Sequence, residues 1–134
     1  MRLAALALAI GCGGATSSAP TPAKSMQVNQ PGAPVDIATA VVDGYVTVVD
    51  FWSESCGACI IVGGRLAIQV AQDPQIVIRK IDVGDGFTPV AKAYEINALP
   101  HYRVYDKHKR MRAELVGNDC LQAPEIARQL VTEN

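Results

Sequence analysis

The chain reads as an α/β domain, with a mixed central β-sheet and helices on both faces. Three observations predict this. Apolar, β-branched runs at residues 45–51 and 76–81 alternate with helix-compatible stretches, the pattern of a βαβ unit with parallel strands. Two further strand-like segments, 101–105 and 110–116, flank the polar turn Asp106-Lys107-His108-Lys109, as in a β-hairpin. A closing helical stretch, 124–131, follows the hairpin and can cover the sheet.

The elements can be justified in order. Val35 to Val42 is amphipathic and stops at Asp43-Gly44, which predicts a short helix. Tyr45 to Phe51 is apolar on both alternations, as expected of a central strand covered on both faces. Cys56 to Gln72 is the long helix. Gly63-Gly64 weakens it and invites a bend, and Asp73-Pro74 ends it. Gln75 to Val83 is the second strand, with Ile76, Val77, Ile78 and Ile81 as its apolar part. Thr88-Pro89 looks like an N-cap with proline at the first helical position, opening a helix over 90–95. Ala98-Leu99-Pro100 leads into the third strand, and Gly117 breaks the fourth.

At 134 residues the chain suits one domain, and about 100 residues remain for a core once a leader and a tail are set aside. Net charge is −1, so no electrostatic case exists for nucleic acid or a polybasic membrane patch. No apolar run reaches the ~20 residues needed to span a bilayer. A monomer is expected.

The N-terminal third divides further. Met1-Arg2 is basic, Leu3 to Ile10 is apolar, and Gly11-Cys12 follows. This resembles a bacterial lipoprotein signal over residues 1–12. The resemblance implies lipidation of Cys12 and a membrane-anchored domain facing the periplasm or the exterior. Ala9 departs from that pattern, which has a larger aliphatic residue there. Two other readings fit: an ordinary secretory signal cut near Ala15 or Ala19, giving a soluble exported protein, or a misassigned start on a cytoplasmic one. Residues 13–34, rich in Ser, Thr, Ala, Pro and Gly from Thr16 on, read as a flexible tether with room for a short edge strand at Met26-Gln27-Val28. Residues 35–134 form the folded domain.

The chemistry centres on Cys56-Gly57-Ala58-Cys59, between the central strand and the long helix. Two cysteines at that spacing, at a helix start, make a dithiol/disulfide couple, and the helix N-terminus stabilises a thiolate on the first. Zinc needs four ligands, usually from two such pairs, and neither Cys12 nor Cys120 belongs to a second pair, so no metal is assigned. Cys56 is the expected nucleophile and Cys59 the resolving thiol one turn inward. Asp50 ends an apolar strand. Burial there raises its pKa and lets it take the Cys59 proton. Lys80, on the next strand, is its candidate partner. No flavin, haem or nucleotide motif occurs, so the cysteine pair is the sole expected redox group and no cofactor is assigned.

The element order and these motifs resemble the thioredoxin family over about residues 35–133, and so imply a thioredoxin fold. Val49-Asp50-Phe51-Trp52, Glu54 and the Cys56/Cys59 pair match its active-site strand; Lys80 matches its strand lysine, Leu99-Pro100 its cis-proline dipeptide, and Gly117 its groove glycine. The resemblance implies that Trp52, Gly57, Ala58, Leu99, Pro100 and Gly117 face substrate, with the backbone of Leu99 pairing to an extended peptide. Four residues depart from the pattern: Ser55 for tryptophan, Ala58 for proline, Ile60 for lysine and His101 for threonine. Gly64 falls where the family has a kinking proline. His101 could hydrogen-bond the thiolate, or be an ordinary strand residue. Cys120, left without a partner, reads as a small buried hydrophobe.

The functional expectation is a thiol–disulfide oxidoreductase that reduces disulfides of envelope proteins and is recharged by a membrane or envelope thiol donor. An oxidant or isomerase of the same fold, a binding module without redox turnover, and a copper(I) metallochaperone using the thiols and His101 are the competing readings.

Overall fold

The computed structural model describes residues 13–14 and 18–133. The expected signal segment and Cys12 lie outside the described residues. Five strands and four α-helices follow one another as β1 (Ser25–Gln27), α1 (Ile37–Ala40), β2 (Val46–Trp52), α2 (Gly57–Gln69), β3 (Ile76–Asp82), α3 (Pro89–Ala93), β4 (His101–Tyr105), β5 (Met111–Val116) and α4 (Ala123–Thr132). A 3-10 turn, Gly117–Gln122, joins β5 to α4.

The strands form one sheet in the order β1-β3-β2-β4-β5. β1 and β2 both run parallel to β3, while β4 is antiparallel to β2 and β5 to β4. β2 is central and all but its last residue are buried, which is why it reads as a continuous apolar run rather than an alternating one. β5, at the edge, buries only Leu115 fully. Alternation of side chains across the pleat splits the core in two. Val46, Val48, Ile76, Ile78, Tyr102 and Val104 pack with α2 and α4 on one face. Val49, Phe51, Ile81 and Val83 pack with α1 and α3 on the other.

The expected tether is folded over its second half. β1 pairs with β3, and Val28 N–H and Gly32 N–H donate to the carbonyls of Lys80 and Asp82, each at 2.9 Å. Arg79, only 2% exposed, donates to the Ala23 carbonyl at 2.9 Å, and Asn29 exchanges two 2.9 Å bonds with the Asp82 backbone. The physical reason is an edge. Without residues 23–32, β3 would expose a row of unpaired backbone groups, and a polar segment can satisfy them through its own backbone without burying apolar side chains. The folded part therefore begins before residue 35.

Three smaller differences share the same cause, local signals yielding to context. α1 spans only Ile37–Ala40, capped by Asp36, whose carboxylate accepts from Ala38 N–H at 3.0 Å. α2 ends at Gln69, short of Gln72. Thr88 precedes α3 without capping it, because its hydroxyl donates to the Val83 carbonyl at 2.7 Å.

Candidate active site

The dithiol site is built by the turn between β2 and α2. Cys56 N–H donates to the Ser53 carbonyl at 3.0 Å, and the Ser53 and Ser55 hydroxyls lie 3.0 Å apart. The turn delivers Cys56 to the N-cap of α2 in an extended conformation, and its Sγ accepts from Cys59 N–H at 3.1 Å. A thiolate on Cys56 inherits that donor and the positive end of a 13-residue helix. Cys56 and Cys59 are joined in a disulfide, with their Cα atoms 5.2 Å apart. Cys56 is half-buried and Cys59 is 3% exposed, so an incoming sulfur meets Cys56 first. Gly57, Ala58, Ile60 and Ile61 form an exposed rim around them.

Asp50 lies beneath α2, 1% exposed. A Cβ on Gly63 would stop 3.4 Å from its Oδ2. Gly63 sits one turn beyond Cys59, so the two share a helix face and Asp50 lies under that face. Burial pushes the Asp50 carboxyl up to about 7, against the opposing pull of the Lys80 charge. A carboxyl titrating there can hold or release a proton at neutral pH. A surface cavity of about 360 Å³ is lined by Asp50, Trp52, Ile60, Gly63, Gly64 and Lys80 among others.

Lys80 is the register partner of Asp50 on β3, but the two form no ion pair. Its ammonium stands 4.1 Å from the centre of the Trp52 ring, a cation–π contact. Trp52 is fixed in turn by its indole N–H, which donates to Gln27 Oε1 at 3.0 Å. The strand lysine thus acts on Asp50 through space, and β1 helps place it.

The start of β4 and the turn after β5 lie at the same end of the sheet as the dithiol turn. The Leu99–Pro100 bond is cis, Pro100 is buried and Leu99 is half-buried. Gly117, at φ +61°, donates its N–H to the Pro100 carbonyl at 2.8 Å, tying the proline loop to the start of the 3-10 turn. His101 points to the other side of the sheet from Asp50. Its Nε2 lies 2.8 Å from Glu114 Oε1, and its ring meets Phe51 edge-on at 5.8 Å between centroids. The histidine considered as a thiolate partner is instead engaged by Glu114, because adjacent strand residues face opposite sides. Cys120 is 1% exposed and donates to the Leu115 carbonyl, and burial pushes its thiol up to about 12, so it stays protonated and inert. Among the described residues, no three His, Cys, Asp or Glu side chains gather as a metal site.

The sequence reading missed Tyr102. It is fully buried on β4, opposite Asp50 in the β2–β4 register. A tyrosine inside a strand gives no local sign that register will set its hydroxyl on the same face as a buried acid of the neighbouring strand.

This fold and site define a class, a mixed-sheet α/β domain with a paired-cysteine motif at a strand-to-helix turn and a cis-proline at the same end of the sheet. The thioredoxin family model matches residues 36–130, and the chain belongs to the thioredoxin family. It is 35% identical over 60 residues to thioredoxin of Mycoplasma pneumoniae, a match covering 45% of this chain and 58% of that one. With mouse mitochondrial thioredoxin it shares 44% over 54 residues, covering 40% of this chain and 32% of the relative. The matches thus span 58% and 32% of these two relatives. The fold is similar to that of a mutant thioredoxin from Halobacterium salinarum, with a TM-score of 0.66 at 19% identity over 87% of this chain and 99% of that one. It is also similar to a reduced thioredoxin pre-protein from Schistosoma mansoni, with a TM-score of 0.61 at 18% identity over 81% and 99%.

Proposed function

We propose that the chain is a thiol–disulfide oxidoreductase that reduces disulfides in envelope proteins. The observation that carries this is the Cys56–Cys59 pair at the N-cap of α2, with Asp50 buried beneath the same helix face. In the reduced protein the Cys56 thiolate attacks one sulfur of a substrate disulfide. An S–S bond forms between Cys56 and substrate, and the other substrate sulfur leaves as a thiolate and takes a proton from water. Cys59 then gives its proton to Asp50 and attacks the Cys56 sulfur. The mixed disulfide breaks, the second substrate sulfur leaves and is protonated, and the protein retains the Cys56–Cys59 disulfide. Two electrons have passed to substrate, and a dithiol donor in the membrane or envelope must restore them.

By the family resemblance, Leu99, Pro100, Trp52, Gly57, Ala58 and Gly117 would form the surface on which an extended peptide lies. The exposed side chains of Ile60 and Ile61 make that rim apolar, which suits a partly unfolded or loop substrate. The envelope assignment rests on the basic, apolar, Gly11-Cys12 pattern of the N-terminus, with Cys12 as the lipid anchor.

The test is the reduction potential of the couple, by equilibration against glutathione or dithiothreitol buffers. A value near the about −270 mV typical of thioredoxin supports a reductant. A value near the about −120 mV of a strong oxidant reverses the direction of electron flow. Absence of a reversible couple would leave a binding module. Membrane retention that is lost in Cys12→Ser, and labelling of that cysteine by a fatty acid, test the anchor.

A further inference from the structure

Two buried side-chain oxygens among the described residues have no hydrogen-bonding partner in the protein, Asp50 Oδ1 and the Tyr102 hydroxyl. They belong to register partners on adjacent antiparallel strands and point to the same face of the sheet. The other oxygen of the same carboxylate and the Tyr102 hydroxyl border one spot beside Gly63. A Cβ on Gly63 would lie 3.4 Å from Asp50 Oδ2 and 3.8 Å from the Tyr102 hydroxyl. A phenylalanine would fill the same core position without leaving a polar atom unpaired, so the hydroxyl is the part that asks for an explanation.

We propose that Tyr102 is a positioning residue for the proton transfer at Cys59, its hydroxyl donating to the Asp50 carboxylate through one buried water in the space that Gly63 leaves open. This rests on the reading of Asp50 as the acceptor of the Cys59 proton. The space is polar on two sides, and one water makes two to four hydrogen bonds, enough to bridge the Tyr102 hydroxyl and the Asp50 carboxylate. The bond is stronger to the ionised acid than to the neutral one, so it favours the charged form. Burial and the neighbouring Asp50 charge both push the Tyr102 phenol upward, so it keeps its proton and remains a donor throughout the range in which Asp50 titrates. The other titratable groups facing Asp50 are Lys80 on β3, Cys120 in the 3-10 turn and, once the disulfide is reduced, Cys59 on α2. Of these, Lys80 is the only cation, and it acts through space.

The experiment is a carboxyl-carbon NMR titration of Asp50 in the oxidised protein and in Tyr102→Phe. Loss of the donor should raise the Asp50 midpoint by about one pKa unit, a tenfold change in proton affinity, with little change in Tm. The pH profile of disulfide reduction should move upward with it. In the unsubstituted protein, the Tyr102 ring carbon bearing the hydroxyl should shift with the same midpoint as Asp50, a readout that does not depend on the variant folding. Identical Asp50 titrations in the two proteins, or a Tyr102 signal flat across that midpoint, would overturn the proposal. These readouts need no turnover. A shifted midpoint in a protein with no reversible dithiol couple would leave the contact standing and remove the oxidoreductase reading instead.

Discussion

Lys80 and Trp52 form a cation–π pair, ammonium 4.1 Å from the ring centre, on the same sheet face as Asp50. The pair holds the positive charge near the buried acid without neutralising it in a direct ion pair. An ion pair would pull the carboxyl down toward its ordinary range and make it a poor proton acceptor at neutral pH. Replacing Lys80 by methionine keeps the stem's packing against Trp52 and removes the charge. The Asp50 midpoint should then rise further above about 7, read by carboxyl NMR, and Trp52 fluorescence should change through loss of the nearby cation.

Asp50 itself should make stability depend on pH in the direction opposite to most carboxylates. Its folded pKa lies above the ordinary value, so between about 4 and about 7 the folded state holds a proton that the unfolded chain has lost. Stability from this group therefore falls as pH rises through that window. A pKa moved from 3.8 to about 7 corresponds to about 4 kcal/mol. Asp50→Asn should be more stable than the parent by up to that amount at pH 8, and the gap should close toward pH 4 in urea titrations. The same variant should slow resolution of the mixed disulfide.

The two cysteines should fail differently. Cys56→Ser has no nucleophile and should give no detectable reduction of a disulfide substrate. Cys59→Ser should still attack but not resolve, and should accumulate a covalent adduct through Cys56 that mass spectrometry detects and dithiothreitol releases. Equal adduct formation by both variants would reassign the attacking thiol.

Residues 23–34 should be part of the folding unit. Deleting everything before Val35 removes β1 and the Ala23 acceptor of buried Arg79, and should lower stability by about 2 kcal/mol or more. A milder probe is Gly32→Ala. Gly32 has φ +75°, and an added Cβ would lie 2.5 Å from Thr88 Cγ2, so the cost should be about 1–3 kcal/mol. An unstructured tether would tolerate both changes with Tm unmoved.

The β4–β5 hairpin turns on Asp106. Its Oδ1 accepts from His108 N–H and Arg110 N–H, and its Oδ2 from the side chains of Arg110 and Arg112. Burial alone would raise this acid, but these donors hold it down to about 2. Asp106→Ala should cost about 2 kcal/mol at pH 7. The stability this carboxylate provides is present above the ordinary carboxylate range and is lost as pH falls toward about 2, so parent and variant should converge in acid.

What the sequence determined by itself is what local pattern encodes. Runs such as Val46-Thr47-Val48-Val49 and Ile76-Val77-Ile78, a polar turn at 106–109 and the position of Cys56-Gly57-Ala58-Cys59 specify the element order and put the dithiol at a helix start. The place of Asp50 at the end of a buried strand was legible for the same reason, since a charge inside an apolar run stands out. The tertiary structure alone decided which groups those residues meet. Pairing of β2 with β3 and β4 set Lys80 and Tyr102 on either side of Asp50, sent His101 to Glu114 on the far face, and recruited a polar segment before residue 35 to cover the edge of β3. The physical reason is that propensity and periodicity act over a few residues along the chain. Cross-strand register, pleat direction and the need to satisfy an exposed strand edge act between residues 13 to 53 positions apart, and they exist only once the sheet has formed.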